Sequence, residues 1–288
     1  MEIGDTVVRK SYGKDVTFKI IYKKETEQGI IFTLKGINLR IVADSPEGDL
    51  EIATEDNMSE SELVFNRKVN TSIKKILLSR LVSKDQYRSS KSQSAFRDEL
   101  SFGRPGKILH VDGDKDYLET CLKVYKQLNL EAVGKMISES EQPQKVLEMV
   151  KAIKPDIVVI TGHDAISKGT TNYTDLNNYR NSKYFVDTVV QLRNYESNYD
   201  DLVIFAGACQ SCYEAILDAG ANFASSPSRV LIHCLDPVFL CEKIAYTNIE
   251  KVVSMKEALE NTITGTKGIG GLQTRGKYRE GFPKSQFV

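Results

Sequence analysis

From Gly106 onward the chain alternates apolar runs of strand length with amphipathic stretches of helical period. Few folds accept that alternation: a parallel strand needs a long crossover to reach its neighbour, so strands and helices must take turns around one sheet. Strands are expected over residues 107–111, 132–137, 157–161, 202–206 and 229–235. Helices are expected between and after them, at 117–128, 143–153, 184–195, 211–219, 237–246 and 254–263. The Gly-rich, basic tail from Thr264 argues against regular packing and is expected to be a loop or a binding segment.

The first part of the chain has a different texture. Short β-prone runs at 5–9, 16–22, 30–34 and 39–43 are separated by Gly and charged stretches, which predicts a small antiparallel, SH3-like β-barrel over residues 1–58. Residues 59–106 hold a helix around 73–81 and then a polar, basic stretch that reads as an exposed linker. Residues 107–288 form the α/β domain.

Charge excludes some partners. Lys plus Arg and Asp plus Glu are 39 each, so no global field draws the chain to nucleic acid or an anionic membrane. No membrane-spanning run and no signal-peptide pattern is visible, so a cytoplasmic protein is expected. Five cysteines in such a chain are expected to be reduced thiols. Cys209 and Cys212 form the one CxxC, but the only further zinc ligands in range, His233 and Cys234, lie in an apolar run; no metal and no cofactor are expected.

In an open parallel sheet, catalytic groups gather at the carboxyl ends of the strands. Two motifs fall there: DIVVITGHD, which places His163 just past one strand, and LVIFAGACQSC, which places Cys209 just past the next, at the expected mouth of a helix. Free backbone N–H groups and the helix dipole would favour the Cys209 thiolate. Cys212 would lie inside the helix as a packed small residue. His110 and His233 sit within apolar runs and read as core. A thiol and an imidazole at neighbouring strand ends suit nucleophilic catalysis, with His163 as general base and Cys209 as nucleophile. The Cys209 N–H and one from the Gly162 loop could form an oxyanion hole, with Gly162 and Gly207 permitting close backbone approach.

AGACQS, with His163 upstream, resembles the catalytic region of caspase-like peptidases. It departs from them in that Gly162 precedes the histidine and Asp164 follows it. More specifically, HVDGDKDYLETCLKVY, PDIVVITGHD, YFVDTVVQLRNYE, LVIFAGACQSCYEAILDAGANFASSPSRVLIH and GIGGLQTRG resemble the YabG family of sporulation-specific proteases, over nearly the whole chain. The resemblance implies a caspase-like three-layer α/β peptidase domain, protein substrates of the spore coat and of sporulation, and action in the mother cell and at the spore surface. It also implies that the first strand end helps to form the pocket for the residue before the scissile bond. Asp112 and Asp114 there would select Arg or Lys, or would simply cap the following helix. Self-cleavage is then expected in the basic segment holding Arg88, Lys91, Arg97 and Arg104.

Two rivals stand beside this. A receiver- or flavodoxin-like regulatory module would use Asp112 and Asp114 as an acidic phosphoacceptor pocket, but the run RVLIHCLDP offers no late lysine. A nucleic-acid or protein adaptor built on Arg9, Lys10 and Lys14 would leave Cys209 without a use.

Overall fold

The computed structural model describes residues 1–27, 29–54, 60–89, 101–285 and 287. Five strands open the chain: β1 (Thr6–Arg9), β2 (Thr17–Thr26), β3 (Gly29–Gly36), β4 (Val42–Pro46) and β5 (Leu50–Ile52). They form one antiparallel sheet in the order β4-β3-β2-β1-β5, around a core that includes Val7, Phe18, Ile20, Phe32 and Leu34. Among the described residues the sheet stays open, which corrects the expected closed barrel. Pro46 ends β4 without an N–H to donate and β5 is three residues long, so the two edges have little to pair with.

Helix α1 (Glu60–Ser89) is far longer than the two and a half turns expected around 73–81. Its Phe65 packs against both the N-terminal core and the core of the larger unit. After it come β6 (Phe102–Arg104), β7 (Ile108–Asp112), α2 (Lys115–Gln127), β8 (Ala132–Met136), α3 (Gln142–Ile153), β9 (Ile157–Thr161), α4 (Ser182–Tyr195), β10 (Val203–Ala206), α5 (Tyr213–Asp218), β11 (Phe223–Ser225) and α6 (Asp236–Tyr246). The end of the chain adds β12 (Val252–Val253), α7 (Met255–Leu259), β13 (Ile269–Gly271), β14 (Thr274–Arg275) and β15 (Arg279–Gly281).

The main sheet runs β13-β11-β10-β9-β7-β8, parallel except for β13. Its strands read as unbroken apolar runs because both faces are covered. Ile157, Val159, Val203 and Phe205 point into one core with residues of α2 and α6; Val158, Ile160, Ile204 and Ala206 point into the other with α3 and α4. All five residues of β9 are buried. Each apolar side chain so covered contributes about 1.5–3 kcal/mol. The result is a three-layer α/β fold.

Two expectations fail for related reasons. Residues 229–235 are apolar and largely buried, yet they join no sheet; they run as an extended cover with a single bridge, His233 to Leu39. The fifth parallel strand is instead the short β11, and the tail that was expected to be irregular supplies its neighbour β13, while β15 pairs with β6. Glycines 270 and 271 leave room for this close strand approach, since a Cβ on Gly271 would meet the Asn222 carbonyl. Among the described residues no helix is long and apolar enough to cross a membrane.

Candidate active site at the carboxyl edge of the sheet

The chain leaves β7 in one direction to β8 and returns to the other side at β9, so the carboxyl ends of β7 and β9 flank the topological switch point. Register sets the three strand ends level. Val111 is level with Ile160, and Ile160 with Ala206. Asp114, His163 and Cys209 each lie three residues beyond one of these, on three adjacent strand ends.

His163 is partly exposed, and its Nε2 lies 3.0 Å from Asp114 Oδ2. With that N–H donated to the carboxylate, Nδ1 is the nitrogen left to accept a proton. Its main chain is pinned from two sides: the N–H donates to Glu139 Oε1 at 2.6 Å and the carbonyl accepts from Asn181 at 2.8 Å. The Glu139 carboxylate fits only because residue 162 is glycine, whose added Cβ would fall 2.2 Å from Oε1. Next to the histidine, Asp164 binds Ser182 and Ser211 and so ties the loop after β9 to the loop after β10; burial raises its carboxyl.

Asp114 caps α2 through the N–H groups of Asp116 and Tyr117, as one of the two sequence readings had it. It also receives Lys35 Nζ at 2.6 Å. Burial alone would raise its carboxyl, but the bonds from His163 and Lys35 and the Lys35 charge outweigh it and hold it down to about 2. A carboxyl depressed below its unfolded value near 3.9 stabilises the fold fully above that value, and the contribution is lost as pH falls through about 2. Asp114→Asn should therefore remove roughly 2 kcal/mol from the stability difference between pH 7 and pH 2. Urea unfolding at the two pH values measures it; an undiminished difference would mean the carboxylate is not held this way.

Asp112 is wholly buried, and Arg40 donates to both of its oxygens, Nη1 at 3.0 Å and Nη2 at 2.6 Å. Thr161 Oγ1 donates to it at 2.9 Å. Burial would raise this carboxyl, yet the Arg40 guanidinium and the neighbouring His110 keep it well below the usual range. It presents no open acidic pocket, either to a substrate or to a phosphoryl donor, because a guanidinium already fills it.

Cys209 is 3 % exposed. Its Sγ accepts the Ile232 N–H at 3.1 Å. Burial pushes the thiol up to about 11 despite this donor. The expected thiolate-favouring helix mouth is absent: α5 starts only at Tyr213 and its N-cap is Cys212, which was expected inside the helix. Burial raises the Cys212 thiol too. Gly207 has φ +108°, a region that favours glycine, and its N–H is used by the Ile160 carbonyl at 3.0 Å. Among the described residues no hydrogen bond joins His163 to Cys209.

Beside Gln210 an open groove of about 400 Å³ is lined by Ile166, Thr170 and Tyr173. His110 and His233 are buried, as expected, and burial lowers both. All five cysteines are free. Among the described residues no cluster of metal-ligating side chains is found. Arg88 lies on α1 and Arg104 on β6, whereas Lys91 and Arg97 lie outside the described residues.

Sequence reasoning missed Lys35, Arg40 and Glu139. Arg40 left a trace, a lone charge inside the apolar run INLRIVA; the other two left none. A family model described as YabG peptidase U57 matches residues 2–283. The Sporulation-specific protease YabG of Bacillus subtilis (strain 168) is 42% identical over 283 residues, which covers 98% of each chain.

Proposed function

Because the chain belongs to the YabG peptidase family, we propose that it is a cysteine endopeptidase working through Cys209 and His163. The observation that supports this is that His163 and Cys209 each follow by three residues one of a level pair of strand positions, Ile160 and Ala206, with Asp114 holding the imidazole. In the reaction His163 Nδ1 takes the Cys209 proton as the sulfur attacks the substrate carbonyl, then gives it to the leaving amine. Asp114 fixes the tautomer and stabilises the imidazolium. The Cys209 N–H and the Gly162 loop would hold the oxyanion, with Gly207 shaping the turn. The buried thiol has to be uncovered or deprotonated on substrate entry, since at rest it is held up near 11 by burial.

A preference for Arg or Lys before the scissile bond would rest on Asp112 only once Arg40 leaves it, since its carboxylate takes a guanidinium in two-pronged fashion. By likeness to its sporulation-specific relative, the substrates would be proteins of sporulation; the resemblance read from the sequence extends them to the spore coat, met in the mother cell and at the spore surface. Self-cleavage in the basic segment narrows to Lys91 and Arg97, because Arg88 and Arg104 are engaged in a helix and a strand pair. The masses of released fragments would locate that cut.

Chemistry of this kind predicts that iodoacetamide abolishes turnover of an Arg-containing peptide in proportion to labelling of Cys209, while EDTA leaves turnover intact. Activity lost to EDTA and restored by zinc would overturn the thiol mechanism.

A further inference from the structure

Residues 36–41 join β3 to β4 and do not turn back tightly on their own sheet; they reach across to the large unit. Asn38, Leu39 and Arg40 run antiparallel to Ile232, His233 and Cys234. Leu39 bridges His233, the Arg40 N–H donates to the Ile232 carbonyl at 3.5 Å, and the Cys234 N–H donates to the Asn38 carbonyl at 2.9 Å. This is how a peptide adds a strand to an exposed edge, with main-chain bonds for affinity and one side-chain pocket for specificity. The pocket is Asp112, and the side chain in it is Arg40, both with no exposed surface. The pairing also fixes the residue that lies on the nucleophile: Ile232, whose carbonyl accepts the Arg40 N–H, donates its own N–H to Cys209 Sγ at 3.1 Å.

The loop is also braced from within. Gly36 N–H donates to the Ile41 carbonyl at 2.8 Å, Ile41 N–H to the Leu39 carbonyl at 2.9 Å, and Tyr117 Oη bonds the Leu39 carbonyl at 2.8 Å. A cleavable substrate runs through its cleft extended, whereas this chain is folded back immediately after Arg40 by the bond between Ile41 and Leu39. Next to it Lys35 sits on Asp114, the carboxylate that also holds His163.

We infer that residues Asn38–Ile41 are an internal occupant of the substrate cleft, in which Arg40 takes the place of the basic residue before the scissile bond and keeps Cys209 covered. The inference rests on the peptidase reading above for the meaning of the cleft, but the occupancy can be measured apart from it. The N-terminal sheet is then the restraint on the enzyme, and a basic peptide must displace it to be cut.

The test uses full-length Arg40→Ala protein, with circular dichroism and thermal melting to verify the fold. Iodoacetamide labelling of Cys209 should rise at least about tenfold over wild type, and turnover of a short peptide with Arg before the scissile bond should rise by a similar factor. Guanidinium at low millimolar concentration, or arginine amide, should raise the melting temperature of the variant and not of the wild type, because only the variant has an empty place on Asp112. Faster labelling and guanidinium binding without any peptide cleavage would keep the occupant and sink the peptidase reading. Folded Arg40→Ala protein that labels at the wild-type rate and ignores guanidinium would overturn the occupant itself. Should Arg40→Ala fail to fold, Arg40→Lys keeps the charge and loses the two-pronged contact. Labelling should then rise about threefold, and a wild-type rate would overturn the proposal.

Discussion

Cys209→Ala and His163→Ala should each lower kcat/KM for a basic peptide by about 10,000-fold or more, with little loss of stability. The size follows from what is removed. Without the sulfur no acyl-enzyme forms, and without the imidazole neither the thiol proton nor the leaving amine is served, so either loss costs nearly as much as both. The double variant should accordingly be no slower than the worse single one. Stability should change by only about 1 kcal/mol, because a thiol cut back to a methyl leaves a small gap and His163 is partly exposed. Cys212→Ala is the control. Its sulfur lies against the carbonyls of Tyr173 and Thr174, at 3.7 and 3.9 Å, away from His163, so turnover should fall less than about fivefold. Loss of activity in Cys212→Ala with retention in Cys209→Ala would reverse the assignment of the nucleophile.

The largest effect on stability is expected at Asp112. Asp112→Ala leaves the Arg40 guanidinium buried with no counter-charge, and removing one partner of such a pair costs about 3–5 kcal/mol. Thr161 loses an acceptor as well. The cost should fall substantially when Arg40→Ala is added, because the stranded charge goes with it. Chemical denaturation of the four proteins of this cycle gives the coupling directly. Additive losses in the double variant would mean that the two groups do not depend on each other, against the geometry seen. Any slower cleavage after Arg in Asp112→Ala has to be read at equal folded fraction for this reason.

The strands whose ends bear the proposed dyad were legible. Residues 157–161 and 202–206 are too apolar, too short and too regularly followed by helical periods to be anything but buried parallel strands, and their ends located His163 and Cys209. What lay beyond sequence was set by contacts between distant segments. The Cys209 sulfur is bonded by Ile232, and residues 38–40 pair with that stretch; neither segment announces in sequence that it will meet the other or residue 209. The apolar run 229–235 had the composition of a strand and became a cover, because β11 and β13 had already filled that side of the sheet. The start of α5 was placed two residues early, since a Gly-Ala-Cys-Gln turn with Gln210 at φ +60° delays the helix and periodicity cannot see such a residue.

The antiparallel pairing of β13 with β11 gives the order of synthesis a physical role. An uncovered strand edge is a template for pairing with another chain. Phe223–Ser225 is such an edge until Ile269–Gly271 has been made and docked. At about 5–20 residues per second that interval lasts a few seconds. Throughout it the segments bearing His163 and Cys209 already exist, while the sheet that positions them is still unfinished. Completion of this sheet thus waits on residues 269–271, and a ribosome that stalls before residue 269 would release a molecule with β11 open to aggregation.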